Sequence, residues 1–299
     1  MGMMDIAGQI VSYTYQYFDN FGFLLLSGIG LIVIYGVMGV INMAHGELMM
    51  IGAYIAVSTF YAGVPAPLAV ILGGVGAGLA GMIIERLVIR HFYNQLLSSL
   101  VVTWGVSLII SQGTLFVLGP SIMNMPTPLG SFNVGPFAFG IYRLVMFATA
   151  IGLIAGVWAI FRWTKLGTQA QATMENPTMA SALGIDTRQV YTLTFGLGSA
   201  LGGVAGGMFA MTATISPFFG QNYTPMAFIT VVVGGGANPI LGLAYAGLYL
   251  AGVQTISSNL VNEYIGYVSV MAAAFLALLV MPSGISDFFA QRRTRRMQR

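Results

Sequence analysis

For 74 consecutive residues, 189–262, the chain carries no Asp, Glu, Lys or Arg, and a second uncharged run fills 91–142. A helix needs about 20 apolar residues to cross the hydrocarbon of a bilayer. Each run is therefore long enough for more than one crossing. Only 6% of the 299 residues are charged and 57% are hydrophobic, against about 25% charged in a soluble domain. Such a surface could not stay solvated in water. The expected fold is all-α, a polytopic bundle of transmembrane helices. The 40 glycines suit this environment, because small residues let helices approach closely and freed backbone groups find partners inside the bundle.

Several classes of chemistry are excluded. Cysteine is absent, which removes disulfides, thiolate metal sites and cysteine nucleophiles. There are two histidines, His45 and His91, and no HExxH pairing. Lys165 is the only lysine, so no GxxxxGK[ST] phosphate loop exists. No GxSxG elbow occurs either. No enzyme activity, metal or cofactor is expected of this chain. The net charge of +3 is not a nucleic-acid signal, since five of the 11 basic residues fall within Arg292 to Arg299. The first charges are Asp5 and Asp19 and the first basic residue is Arg86, unlike the positive start of a cleavable secretory signal.

Nine apolar segments are predicted, at 22–41, 48–62, 66–88, 98–118, 144–162, 191–214, 225–238, 241–258 and 264–282. The second and seventh are short for a full crossing, which suggests discontinuous or partly inserted helices. Arg86 and Arg90 follow the third segment, Arg162, Lys165 and Arg188 flank the connection after the fifth, and the Arg-rich tail follows the last. An alternating path puts these groups on the cytoplasmic side. The N-terminus then lies outside and the C-terminus in the cytoplasm. Only Arg143 falls on the wrong side. Segment 119–142, with Pro120, Pro126, Pro128 and Pro136, reads as an external loop. Within 163–190, Gln169 to Leu183 could form a short helix, with Pro177 tolerated near its start. Glu85 and Arg86 read as an interfacial pair and His91 as an interfacial residue. The whole chain, 1–299, reads as one transmembrane domain with a cytoplasmic segment at 163–190 and a basic tail at 287–299.

Three stretches could carry function. The first is Val40 to Glu47, with Asn42, His45 and Glu47 ahead of an apolar run. It is either a solvated cytoplasmic turn or a helix break in the membrane whose polar groups face a solute path. In the second reading Glu47 sits at a helix start, where the dipole favours a carboxylate. The second stretch has the same layout: Gly220 to Pro225, holding Gln221 and Asn222, then an apolar run, then Gly234 to Pro239. It is either a pair of ordinary loops around a short helix or a second break, and the repetition hints at pseudo-symmetric halves. The third stretch is Glu175 to Asp186, either an amphipathic loop helix or a docking element for a cytoplasmic partner.

At these stretches the sequence resembles the membrane subunits of bacterial ABC importers of the branched-chain amino acid type, the LivH family. The resemblance covers residues 22 to 285. It rests on Ile41-Asn42-Met43-Ala44-His45-Gly46-Glu47, on Glu175-Asn176-Pro177 with Leu183-Gly184-Ile185, and on Val231 to Gly236. It implies a permease in the bacterial inner membrane that works with a second permease subunit, homologous or identical. Two cytoplasmic ATPase subunits and an extracytoplasmic solute-binding protein complete the assembly, in agreement with the missing phosphate loop. Glu175, Asn176, Gly184 and Asp186 then fall on the helix that rests on the ATPase. The chain departs from relatives by carrying Gln169 and Gln171 where Arg is common before that helix. Val40 to Met43, Thr103-Trp104-Gly105 and Asn222-Tyr223 look closer to the urea and short-amide permeases than to those for branched-chain amino acids. Asn42, His45, Glu47, Gln221 and Asn222 are the candidates for the substrate pathway. The alternative class is a stand-alone channel or facilitator for small solutes, which would need no docking helix.

Overall fold

α-Helix dominates the computed structural model of the chain, which describes residues 3–93, 95–236 and 238–288. Among the described residues eleven α-helices follow one another: α1 (Met3–Met38), α2 (His45–Tyr61), α3 (Ala66–Leu87), α4 (Leu96–Leu118), α5 (Ile141–Trp163), α6 (Lys165–Glu175), α7 (Pro177–Ala182), α8 (Thr187–Phe209), α9 (Phe219–Gly234), α10 (Pro239–Leu260) and α11 (Glu263–Val280). Helices α1, α3, α4, α5, α8, α10 and α11 are long and apolar enough to cross a membrane. Each of the nine apolar segments holds one helix. The two short ones are α2 and α9, with 17 and 16 residues. The basic residues of the expected tail at 287–299 lie outside the described residues.

The structure corrects the sequence reading at four places. Helix α1 starts at Met3 rather than near residue 22, because its polar residues recur every fourth position and find partners. Gln16 donates to Ser12, Asn20 donates to Thr255, and Asn259 donates to Gln16. The connection 119–142 is not all loop. Strands β1 (Ser131–Val134) and β2 (Phe137–Gly140) pair antiparallel across the two-residue turn Gly135-Pro136, with Gly135 at a φ of 60°, as a tight hairpin turn requires. The residues from Gln169 to Leu183 form two helices, since Pro177 cannot continue α6 and instead starts α7. Finally, Glu85 does not pair with Arg86. It is buried, and its partners are Tyr93, Thr192 and Arg90.

Contacts divide the chain into two units. The first holds the residues up to Leu26, 127–152 and those from Phe228 onward. In it the hairpin packs on α1, with the Tyr15 and Phe139 rings 4.8 Å apart and the Tyr15 hydroxyl donating to the Gly140 carbonyl. Arg143, the basic residue that runs against the charge pattern, forms an ion pair with Asp19.

The second unit holds 27–126 and 153–227. Its centre is α2, α3 and α8, whose facing sides are glycine and alanine. A Cβ on Gly52 would collide with Cα of Gly203, and one on Gly206 with the carbonyl oxygen of Met49. Lipid tails are as apolar as leucine, so helices associate in a bilayer by close van der Waals packing rather than by expulsion from water. Glycine makes that packing backbone to backbone. Gly206→Leu is expected to destabilise the unit by at least the about 1–3 kcal/mol of an overpacked core. Gly105→Ala, whose added methyl meets nothing within 4 Å, is expected to be silent. Thermal unfolding of the purified protein in detergent checks this; equal midpoints for the two variants would contradict the packing account.

Candidate solute site and coupling segment

Between α1 and α2 the chain leaves the helix for six residues, 39–44. Gly39 turns the chain at a φ of 62°. Free backbone groups inside a membrane must find partners, and here polar side chains supply them. The Asn42 Oδ1 accepts the N–H of Ala44 at 3.0 Å. The Thr103 hydroxyl, on α4, accepts the N–H of Met43 at 3.1 Å and lies 3.3 Å from the Ile41 carbonyl. Asn42, His45 and Glu47 are each at most 1% exposed. The stretch is a break inside the packed unit, and the solvated turn is ruled out.

The three side chains differ in surroundings. His45 lies in a slot between Gly30 of α1 and Gly202 of α8, its Nε2 3.0 Å from the Ser27 carbonyl. A carbonyl only accepts, so Nε2 carries the proton and Nδ1 is bare. Neither Nδ1 nor the Asn42 Nδ2 has a hydrogen-bond partner. Glu47 lies in the first turn of α2. Ser107 of α4 faces its carboxylate, and neither oxygen closes a hydrogen bond of ordinary geometry. Two turns further along the same face of α2, the Tyr54 hydroxyl is also buried and without a partner.

The first turns of α2 and α9 meet. A Cβ on Gly46 would strike the Gly220 carbonyl and the Thr224 hydroxyl, and one on Gly220 would lie 2.7 Å from the Glu47 nitrogen. Two stretches far apart in sequence thus come together at two helix N-termini. The second stretch is not a polar entry before a helix, however: residues 220–224 are already helical, and Pro225 sits inside α9. Gln221 and Asn222 are exposed while Thr224 is buried. The meeting point is deep. His45 packs beside Gly202, fifteen residues into α8, and at 1.5 Å per residue that is about 22 Å along the helix, more than half of a hydrocarbon core of about 30 Å.

The sequence reading passed over the wall opposite Glu47. Ser99, Thr103, Ser107 and Ser111 recur at every fourth position of α4, and all four are buried, although α4 as a whole is mostly exposed. Their spacing puts them on one helix face. That periodic hydroxyl stripe in an apolar segment was the available signal.

On the connection between α5 and α8, α6 buries Gly167, Ala170 and Thr173 and leaves Glu175 exposed. Asn176 caps α7 by accepting the N–H of Met179 at 3.0 Å, and Asp186 caps α8 by accepting that of Gln189 at 3.1 Å. Gly184, at a φ of 86°, makes the turn between them, a backbone region that glycine enters without steric cost. Gln171 donates to the Phe161 carbonyl. The tip presents Met179 and Leu183, 59% and 76% exposed. Behind it Ala170, Val37 and Val190 form one apolar cluster, while Ile34, Val40, Leu48, Ile89 and Phe195 form another. Met38 packs against both, so the segment abuts the end of α1 and the break beyond it.

A buried carboxylate latch lies near this end of the unit. Glu85 accepts from the Tyr93 hydroxyl and from Thr192 at 2.6 Å, and Arg90 lies 3.6 Å from it and donates to Thr192. Burial first, then the Glu85 hydrogen bond and charge, push the Tyr93 hydroxyl well above the usual tyrosine range. It therefore remains a donor at neutral pH. The latch fastens α3 to α8.

The family described as "Branched-chain amino acid transport system / permease component" matches residues 14–281. The chain belongs to this family. It is 34% identical over 279 residues to the high-affinity branched-chain amino acid transport system permease protein LivH of Escherichia coli (strain K12), covering 87% of this chain and 90% of that protein. BraD of Pseudomonas aeruginosa, named likewise, is 28% identical over 278 residues with the same coverage. LivM of Escherichia coli (strain K12), another permease of this kind, is 24% identical over 291 residues, 87% of this chain and 67% of that protein. No solved structure matches. The permease is a multi-pass membrane protein, and its relatives are named as transport components rather than enzymes.

Thr103 ties the permease's break to α4. Thr103→Val leaves the Met43 N–H buried without a partner, a loss of about 1–3 kcal/mol, whereas Thr103→Ser keeps the acceptor. Thermal unfolding in detergent is expected to rank wild type and Thr103→Ser together above Thr103→Val. A Val variant as stable as wild type would contradict the role given to this hydroxyl.

Proposed function

We propose that the permease is one of two membrane subunits of an ABC importer, and that two cytoplasmic ATPases drive it while an extracytoplasmic binding protein supplies the solute. The N-terminus lies outside and the segment 163–190 in the cytoplasm, as the basic residues suggest. The solute is of the branched-chain amino acid class. The relatives' names support that class in preference to urea or short amides, towards which Val40 to Met43 leaned. Asn42, Glu47 and the α4 hydroxyls line the path, with Gln221 and Asn222 on the exposed side of α9. His45, held in its glycine slot, positions the break. Access alternates between the two sides, and tight selection belongs to the binding protein.

The observation that carries this reading is the α6–α7 elbow. It is capped at both turns, its tip exposes Met179 and Leu183, and its buried face leads to the break through Met38. A stand-alone channel needs no such element. Glu175 adds charge beside the tip, while Asn176, Gly184 and Asp186 shape it. Glu175→Lys, and Gly184→Val, which strains a left-handed turn, are expected to leave the protein in the membrane but to lower ATPase co-purification and solute-stimulated ATP hydrolysis in proteoliposomes. Wild-type levels of both in both variants would reject the docking role and favour the channel.

A further inference from the structure

Glu47 is a carboxylate at most 1% exposed, with both oxygens lacking a hydrogen bond of ordinary geometry. An isolated buried charge is costly unless something compensates it. No basic side chain does so here. Residues 91–142 and 189–262, which include all of α4 and most of α8, carry no charge, and α2 carries only Glu47 itself. His45, two residues earlier, turns its Nε2 to the Ser27 carbonyl. The arginines nearest in sequence are Arg86, in the last turn of α3, and Arg90, which is engaged with Glu85 and Thr192. What faces Glu47 is neutral: Ser107, continued by Ser111 on the same face of α4.

Two features of the site favour a carboxylate and offset part of that cost. Glu47 lies in the first turn of α2, and Gly220, in the first turn of α9, abuts its backbone nitrogen. Positive ends of two helix dipoles therefore converge on it. The dipoles offset part of its charge, and neither oxygen closes a hydrogen bond of ordinary geometry. A buried carboxylate whose oxygens lack a well-formed hydrogen bond, beside hydroxyls that can accept or donate, is complementary to a group that is both cationic and rich in N–H donors. A primary ammonium, with three donors and a full charge, meets both demands. Urea offers donors but no charge.

We propose that Glu47, with Ser107 and Ser111 opposite, is the subsite that takes the ammonium group of the transported solute. This rests on the reading of the break as part of the solute path. It assigns the discrimination between zwitterionic and neutral solutes to the permease itself, in addition to the binding protein. Ser107 and Ser111 set the width and polarity of the subsite.

Infrared difference spectroscopy on the importer complex in nanodiscs tests it directly. The Glu47 carboxylate band is assigned by its loss in Glu47→Gln, or by its displacement in Glu47→Asp where the Gln variant is not recovered. Leucine and 3-methylbutylamine, at about ten times their Kd, are expected to shift roughly nine-tenths of that band. Urea and 4-methylpentanoate, which lacks only leucine's ammonium, are expected to leave it in place. A band that responds to none of the four, or equally to urea or 4-methylpentanoate, overturns the proposal. Uptake of labelled leucine by the same complex separates the two claims. Uptake with a silent band removes only the ammonium subsite, whereas a responsive band without uptake removes the amino acid reading.

Discussion

Where α8 meets α2 and α3, glycine leaves the backbones themselves in contact. Gly52 stands against Gly203 and Gly206 against Met49. In water such a seam would bury little apolar surface. In a bilayer it gives the van der Waals contact that holds helices together. It also fixes the height of α2 along α8, and with it the depth of the break at 39–44. A helix starting about 22 Å along α8 places its free N–H groups and its first polar side chains away from either surface. The polar break follows from the seam, because only a tightly packed neighbour can shield six non-helical residues from lipid.

The break and the α6–α7 elbow form one mechanical path. Ala170 and Val190 pack on Val37, Met38 belongs to that cluster and to the next, and Val40 and Leu48 lie on either side of the polar residues. α6 packs on α8 through Val190 and on the end of α1 through Val37, so a displacement of α6 would press on both. The Glu85 latch, fully bonded, keeps α3 and α8 together while that happens. The two buried carboxyl groups differ: Glu85 holds helices through three polar neighbours, Tyr93, Thr192 and Arg90, whereas neither Glu47 oxygen closes a hydrogen bond of ordinary geometry.

Much of this was legible in the sequence. Hydropathy located all nine apolar segments, because the only charges within them, Glu85, Arg86 and Arg162, fall at segment ends. The break at Asn42 was readable from polar residues set between apolar runs, and Gly184 from its place after a short helix. Other features were not. The early start of α1 depends on polar residues finding partners on α10, a tertiary effect that hydropathy cannot see. The hairpin needed the Gly-Pro turn and its phenylalanines to be weighed against a proline-rich background. Glu85 and Arg86 are neighbours in sequence, yet adjacent helical residues point in different directions, and the true partners of Glu85 come from other elements. The α4 stripe was visible in principle, since its four-residue period is one helix face, but isolated hydroxyls in an apolar run attract less notice than a charge.

The central claim is that the wall formed by Glu47 and the α4 hydroxyls lines an aqueous path. The absence of cysteine makes it directly measurable. Ser107→Cys is a near-isosteric change in that wall, and Phe116→Cys, at a position 91% exposed on the same helix, reports the outer surface. The importer complex carrying either variant is treated with a charged methanethiosulfonate reagent, with and without ATP. The account predicts that Ser107→Cys reacts in at least one nucleotide state, at a rate that changes with ATP, while Phe116→Cys shows no change with ATP. A Ser107→Cys thiol that stays unreactive in every state, or reacts at one rate regardless of ATP, would contradict it.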